Sequence, residues 1–218
     1  GSSKNSEWSN WFEDWDLTIT YDGQLIPLIP ARGNHEKSNE ELEKLFFTPK
    51  NAYYTVNIGG DFLRVYTLNS EMSIGGAQSE WLRENLKSNG NSAYWLMAQY
   101  HKPMRPHNKG KKEGTNQYRY FAPLFFQYKF SLVMESDAHL SKITWPIRPF
   151  TGVGSDEGFI RDDALGTVYA GEGGWGAPVR SADDNKKWTL ASGKFNQVKW
   201  LLVNSSKMEL RTIFTQNA

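Results

Sequence analysis

Two nearly continuous apolar runs, AYWLMAQY at 93–100 and FSLVM at 130–134, each stop abruptly at a polar loop that carries histidine, HKPMRPH after the first and ESDAH after the second. A run apolar without alternation is a strand covered on both faces, as in a sheet layered against helices. A third apolar run, QLIPLIPA at 24–31, turns into ARGNHEKS in a single step. Its two prolines confine it to a sheet edge or to the beginning of a strand.

The segments between these runs have helix and hairpin signatures. Trp8, Trp11, Phe12 and Trp15 fall at i, i+3, i+4 and i+7 and predict a helix whose apolar face packs on a sheet. SNEE at 38–41 has the Ser-x-x-Glu form of a capping box and opens a helix through Phe47. YYTVNIGGDFLRVYTLNSE at 53–71 reads as two alternating strands around a GGD turn. AQSEWLRENLKS at 77–88 is a surface helix, and a further helix near 118–128 leads into the second apolar run. The chain then becomes Gly-rich and strand-like, with GTVYAGEGGWGAP at 166–178 and a hairpin of QVKWLLV and MELRTIF across NSSK. Mixed helices and strands followed by antiparallel strands predict a layered α/β or α+β fold.

At 218 residues the chain suits one domain with a real core and is short for two. A net charge of +1, with KGKK at 109–112 as the one local basic run, gives no field for sequence-blind nucleic-acid binding, so nucleic acid is not an expected partner. The sequence has no cysteine, which excludes disulfides and thiolate metal sites and suits an oxidising or a reducing compartment. No stretch approaches the roughly 20 apolar residues of a membrane span. The opening Gly1-Ser2-Ser3 reads as an added or processed end, which leaves a lost targeting segment open. The 9 Trp, 10 Tyr and 12 Phe suit either a core between sheets or a surface that grips flat ligands, and composition does not choose between them.

The four histidines are His35, His101, His107 and His139, all at polar exits from apolar runs. In open α/β sheets ligands bind where strand ends gather. Imidazole beside Asn34 and Asp137 offers nitrogen, carbonyl and carboxylate donors, a mixture suited to zinc, iron or manganese. Any one histidine taken alone reads as a hydrogen-bonded structural residue. Four at equivalent exits favour a shared site.

GNHE at 33–36, YHKP at 100–103 and SDAH at 136–139 resemble, in order and spacing, the later motifs of calcineurin-like metallophosphoesterases, especially the purple acid phosphatase branch. The hairpin, the AQSEWLRENL helix and GTVYAGEGG are similar to that branch too, so the resemblance covers nearly the whole chain. It implies a four-layer αββα sandwich, here partial, with residues 1–218 forming a single domain that lacks the amino-terminal part of the fold. It further implies hydrolysis of a small-molecule phosphoric ester at a dinuclear centre of iron, zinc or manganese, by in-line attack of a metal-bound hydroxide. A secreted or periplasmic location goes with it. Asn34, through its side-chain carbonyl, and His101 would bind the second metal, and His139 the first. His35 would stay off the metals and face the phosphoryl oxygens or leaving group, with Glu36 orienting the loop. His107 would face substrate, and Arg105 would clamp the phosphate.

Two departures from the family pattern follow. Where the family has Gly-His-x-His, this chain has Ser136, Asp137, Ala138 and His139. Either Asp137 ligates as a harder oxygen donor, favouring iron, manganese or magnesium over zinc, or it sits beside the metal and leaves a position open. The family's opening Asp-x-Gly or Asp-x-His motif and its Gly-Asp-x-x-Asp/Tyr motif have no counterpart before Gly33. GGD at 59–61 lies inside a hairpin turn, where Gly and Asp serve the backbone, and Asp14 and Asp16 read as exposed polar residues. Two cations about 4 Å apart need an anionic bridge to offset their repulsion. The chain by itself is therefore not expected to hold the full centre: an amino-terminal segment is missing, a complementary chain supplies it, or the site is degraded. The rival function is a binding module on the same scaffold, with aromatics such as Trp175 contacting carbohydrate or protein, although core packing is their plainer use.

Overall fold

Gly59 and Gly60, both at positive φ, fold strand Tyr54–Ile58 (β1) back on Leu63–Thr67 (β2) with Tyr54 opposite Thr67. Only glycine takes two such residues in succession without a Cβ penalty. The computed structural model describes residues 4–215, so the reading of Gly1–Ser3 lies outside the described residues. Before the hairpin come helices Asn5–Asp16 (α1) and Asn39–Phe46 (α2), the latter capped by the Ser38 hydroxyl, which accepts from Glu40 N at 3.3 Å. After it, Ala77–Asn89 (α3) crosses over to the parallel strand Trp95–Gln99 (β3). Two short helices, Thr115–Tyr120 (α4) and Ala122–Gln127 (α5), then lead to Leu132–Glu135 (β4), parallel to β3.

The remaining strands are Ser141–Thr144 (β5), Ile147–Pro149 (β6), Phe159–Arg161 (β7), Val168–Gly171 (β8), Thr189–Gly193 (β9), Gln197–Val203 (β10) and Met208–Phe214 (β11). The main sheet has seven strands in the order β1-β2-β3-β4-β8-β5-β9. β2, β3, β4 and β8 are parallel, while β1, β5 and β9 run against their neighbours. The β6–β7 and β10–β11 pairs form two further small sheets. The architecture is mixed α/β, as the alternation of helical and strand patterns predicts.

The core lies between this sheet and the helices. Leu82 and Leu86, one turn apart on α3, are fully buried with Tyr66, Phe121, Phe125, Phe130 and Val133. Phe125 and Phe130 approach to 4.7 Å between ring centroids, so much of the aromatic load is core.

Three local expectations are corrected. Residues 24–31 form no strand: Pro27 and Pro30 lack the donors a ladder needs. The segment is instead held by its carbonyls, Ile29 O accepting from Gln99 Nε2 at 2.8 Å and Pro30 O from the Tyr54 hydroxyl at 2.6 Å. The Trp stripe does form a helix, but no α1 residue is buried. Its rings meet Phe46 of α2 and, through Trp15, the Trp175 ring at 6.5 Å, rather than a sheet. β3 is buried on one face, through Leu96 and Ala98, and half-covered on the other. Its amphipathic residues explain the run's apolar look: Trp95 donates its indole N–H to Asn204 O at 2.9 Å.

Candidate metal centre

β3 and β4 are neighbours, so their polar exits emerge side by side. The strands are stitched beyond their ends by Tyr100 N to Met134 O at 3.1 Å and Ser136 N to His101 O at 2.8 Å. The β4 exit is a tight turn in which Asp137 and His139 adopt left-handed φ values of 65° and 58°. Such φ values are uncommon away from glycine and gather at functional sites. The turn is pinned by Ala138 N to Ser136 O and His139 N to Glu172 O, both at 2.8 Å.

Asn34 arrives from the other side, on the segment tethered along β3. Glu36, buried, accepts from Gly33 N at 2.7 Å and closes the loop. Gly33 permits a close approach: a Cβ there would stand 3.2 Å from the His101 ring. As a result His101 Nε2 lies 2.9 Å from Asn34 Oδ1 and 3.3 Å from Asp137 Oδ1. With ligand bonds of about 2.0–2.2 Å, two donors of one ion stand roughly 3.0–3.5 Å apart. The His101–Asn34 and His101–Asp137 separations are close to that spacing, so the imidazole could share an ion with the Asn34 carbonyl and with the Asp137 carboxylate.

Asp137 is buried, and burial raises its affinity for a proton. The hydrogen bonds and charges of His101 and Lys111 outweigh that and hold its carboxyl well below the usual carboxylate range. Lys111 Nζ is 2.8 Å from Asp137 Oδ2. Neither the histidine pattern nor the family motifs point to Lys111; its one signal in the sequence is the KGKK run.

The other expected residues do not join this contact. His139 turns its Nδ1 to Pro178 O at 3.2 Å. The donor atoms of His101, Asp137 and His139 do not all three lie within 4.8 Å of one another, although those of His101 and Asp137 do. Burial, with the charges of Arg180 and Lys111, lowers the His139 pKa and favours the neutral ring. His35 is exposed, with no hydrogen-bond partner among the described residues. His107 does not face a cavity: it is wholly buried, Nε2 lies 2.7 Å from Thr189 Oγ1, and its backbone N–H donates to Glu172 Oε2 at 3.0 Å. Arg105 is turned away as well, donating to Glu157 O at 2.8 Å and pairing with Glu113 at 3.3 Å.

Beneath the turn lies a buried charge network. Lys142 Nζ is 2.6 Å from both Glu135 Oε2 and Glu172 Oε1. Glu135 Oε1 also accepts from the Tyr100 hydroxyl at 2.6 Å and Met104 N at 2.8 Å. Burial alone would lower the Lys142 pKa, but the two carboxylates outweigh it and raise it. A second acidic group, Glu113, Glu157 and Asp184, is exposed in part and already contains Lys186 Nζ, 2.6 Å from Glu157 and 2.8 Å from Asp184. It is a salt-bridge network among loops.

A family model, calcineurin-like phosphoesterase, matches residues 2–140, more than half of the chain. The chain belongs to the calcineurin-like phosphoesterase family. Among solved structures, this phosphoesterase chain is similar to a purple acid phosphatase, PPD1, isolated from yellow lupin (Lupinus luteus) seeds. The TM-score is 0.78 at 18% identity over 96% of this chain and 41% of that one. It is also similar to GAP50, the anchor in the inner membrane complex of Plasmodium, with TM-score 0.64 and 12% identity over 99% of this chain and 74% of that one. At these identities the likeness is one of fold, and it is the purple acid phosphatase fold. The phosphoesterase chain spans less than half the length of the lupin protein. Comparison with curated proteins gives no match. Family membership implies divalent metal ions, and the Asn34–His101–Asp137 donor set is of the kind that holds one. Among the described residues no helix is long and apolar enough to cross a membrane.

Proposed function

We propose that this phosphoesterase hydrolyses phosphoric esters of small molecules at a dinuclear metal centre, and that Asn34, His101 and Asp137 hold one of the two ions. The observation that carries the reading is the meeting of their donor atoms at 2.9 and 3.3 Å. Ions held there supply Lewis acidity toward the phosphoryl oxygens and lower the pKa of water. His139 serves the other ion through Nε2, the nitrogen left unprotonated when Nδ1 donates to Pro178 O, and its lowered pKa favours the neutral form that ligation needs. His35, solvent-facing and unpaired, delivers a proton to the leaving alkoxide.

Lys111 takes the phosphate-facing place expected of Arg105, being the cation of the 105–112 loop whose head reaches the cluster. His107 and Arg105 hold that loop in position through Glu172, Thr189 and Glu113. In this reading the chain acts as one domain and works outside the cytoplasm. The test is metal-dependent release of 4-nitrophenol from its phosphate by the protein and by its His101→Ala variant; equal rates would refute the assignment.

A binding role on the same fold is the second reading. It is favoured by the face that Trp11, Trp15 and Trp175 build, with Trp11 stacked on Trp15 at 5.3 Å and Trp175 63% exposed. Metal analysis separates the two: stoichiometric transition metal supports hydrolysis, and none above background supports binding.

A further inference from the structure

Of the three lysines in KGKK, Lys109 and Lys112 are exposed, whereas the Lys111 side chain is only 17% exposed and ends on Asp137, itself 10% exposed. The loop is built to hold it there. Asn108 closes the turn, its Oδ1 accepting from Gly110 N and its backbone O from Lys111 N, both at 3.0 Å. The turn is anchored to the 181–183 segment by Asn108 Nδ2 to Ser181 O at 2.9 Å and Lys109 N to Asp183 Oδ1 at 3.0 Å.

Asp137 is the one formal anion among Asn34, His101, Asp137 and His139. Its Oδ1 faces the imidazole of His101, and its Oδ2 holds the Lys111 ammonium. A buried carboxylate left alone is costly, and an ammonium at 2.8 Å offsets that cost. The same carboxylate is the charged donor of the proposed ion site, so ammonium and metal ion draw on one charge.

We propose that Lys111 is a resident counter-ion of the metal site, so that metal uptake is an exchange in which the Lys111 ammonium is released from Asp137. This rests on the reading of Asn34, His101 and Asp137 as a metal site. An ion must then compensate for the lost pair and tolerate a displaced ammonium nearby, both of which weaken binding. Ions with a strong preference for imidazole meet that demand better than magnesium, which gives up its waters reluctantly. A salt bridge serving only to fasten the loop would leave metal affinity unmoved by the charge at position 111.

The experiment is a zinc titration of the metal-stripped 218-residue chain by calorimetry, for the wild type, Lys111→Met, Lys111→Arg and His101→Ala, with metal content checked by mass spectrometry. Exchange predicts that Lys111→Met binds zinc about tenfold more tightly, the scale of one removed unit charge at a partly solvated pair, while Lys111→Arg stays near wild type. Metal-free Lys111→Met is expected to melt below wild type, with the gap closing at saturating zinc. Lys111→Gln, which drops the charge but keeps a polar head, replaces the Met variant if that one does not fold. Equal or weaker affinity in the charge-removed variant, with wild-type binding abolished by His101→Ala, overturns the exchange and leaves the metal site standing. No zinc bound by wild type or variant overturns both.

Discussion

His101 Nε2 stands 2.9 Å from Asn34 Oδ1 across 67 residues of sequence. Both side chains are delivered to the end of β3, one by the strand and one by the proline-bearing segment tied beside it. Replacing either with alanine removes a donor of the proposed ion without touching the core. Phosphatase activity is expected to fall by about 100-fold or more, since even residues that only orient ligands are worth about 10–100-fold. Urea denaturation of the metal-free variants should stay close to wild type.

Gly33→Ala tests the closeness of that contact. A Cβ at position 33 would meet the His101 ring at 3.2 Å and Glu36 Oε2 at 3.3 Å, so the ring must shift by a few tenths of an ångström. Zinc affinity is expected to fall by about tenfold, within the range for disturbed ligand orientation, with little change in melting temperature. Calorimetric titration beside a melting curve separates the two effects.

Lys142→Met leaves Glu135 and Glu172 buried against each other with no cation between them. Breaking a buried ion pair in this way costs about 3–5 kcal/mol, read from the urea midpoint at neutral pH. Lys142→Met combined with Glu135→Gln and Glu172→Gln should recover part of that loss, because no charge is then left without a partner.

Glu113 sets a pH dependence. Burial, reinforced by Glu157 and opposed by Arg105 and Lys186, pushes its carboxyl up to about 7 from 4.5. The folded chain then holds a proton that the unfolded chain has released between those values, so the contribution is fully present below pH 4.5 and is lost as pH rises through about 7. With the side chain 40% exposed, solvent screening holds the effect below ~1 kcal/mol. Thermal melts of Glu113→Gln across pH 5 to 8 should show a flatter slope than wild type and a small gain at the alkaline end.

Much of the architecture was legible because it is local. The GGD turn, the Leu82/Leu86 spacing on α3 and the β10–β11 hairpin declare themselves through backbone chemistry and period, which operate within a few residues. Residues 24–31 were not legible in the same way. An apolar run with prolines announces extended chain, but a ladder needs a partner's donors, and Pro27 and Pro30 supply none. The Trp stripe likewise predicted a helix and misjudged its neighbour, because periodicity reports that a face is apolar and not what covers it.

At the site, the sequence by itself determined the family, since GNHE, YHKP and SDAH stand in its order, with Asp137 as the visible departure. Only the tertiary structure decided which side chains meet. Arg105, His107 and Lys111 lie within seven residues of one another, and the Asn108 turn sends the first two into the protein and the third to Asp137. Spacing along a loop carries no direction in space. That direction comes from the loop's hydrogen bonds to Ser181 and Asp183, more than 70 residues away, and from the parallel pairing of β3 and β4 that brings their ends together.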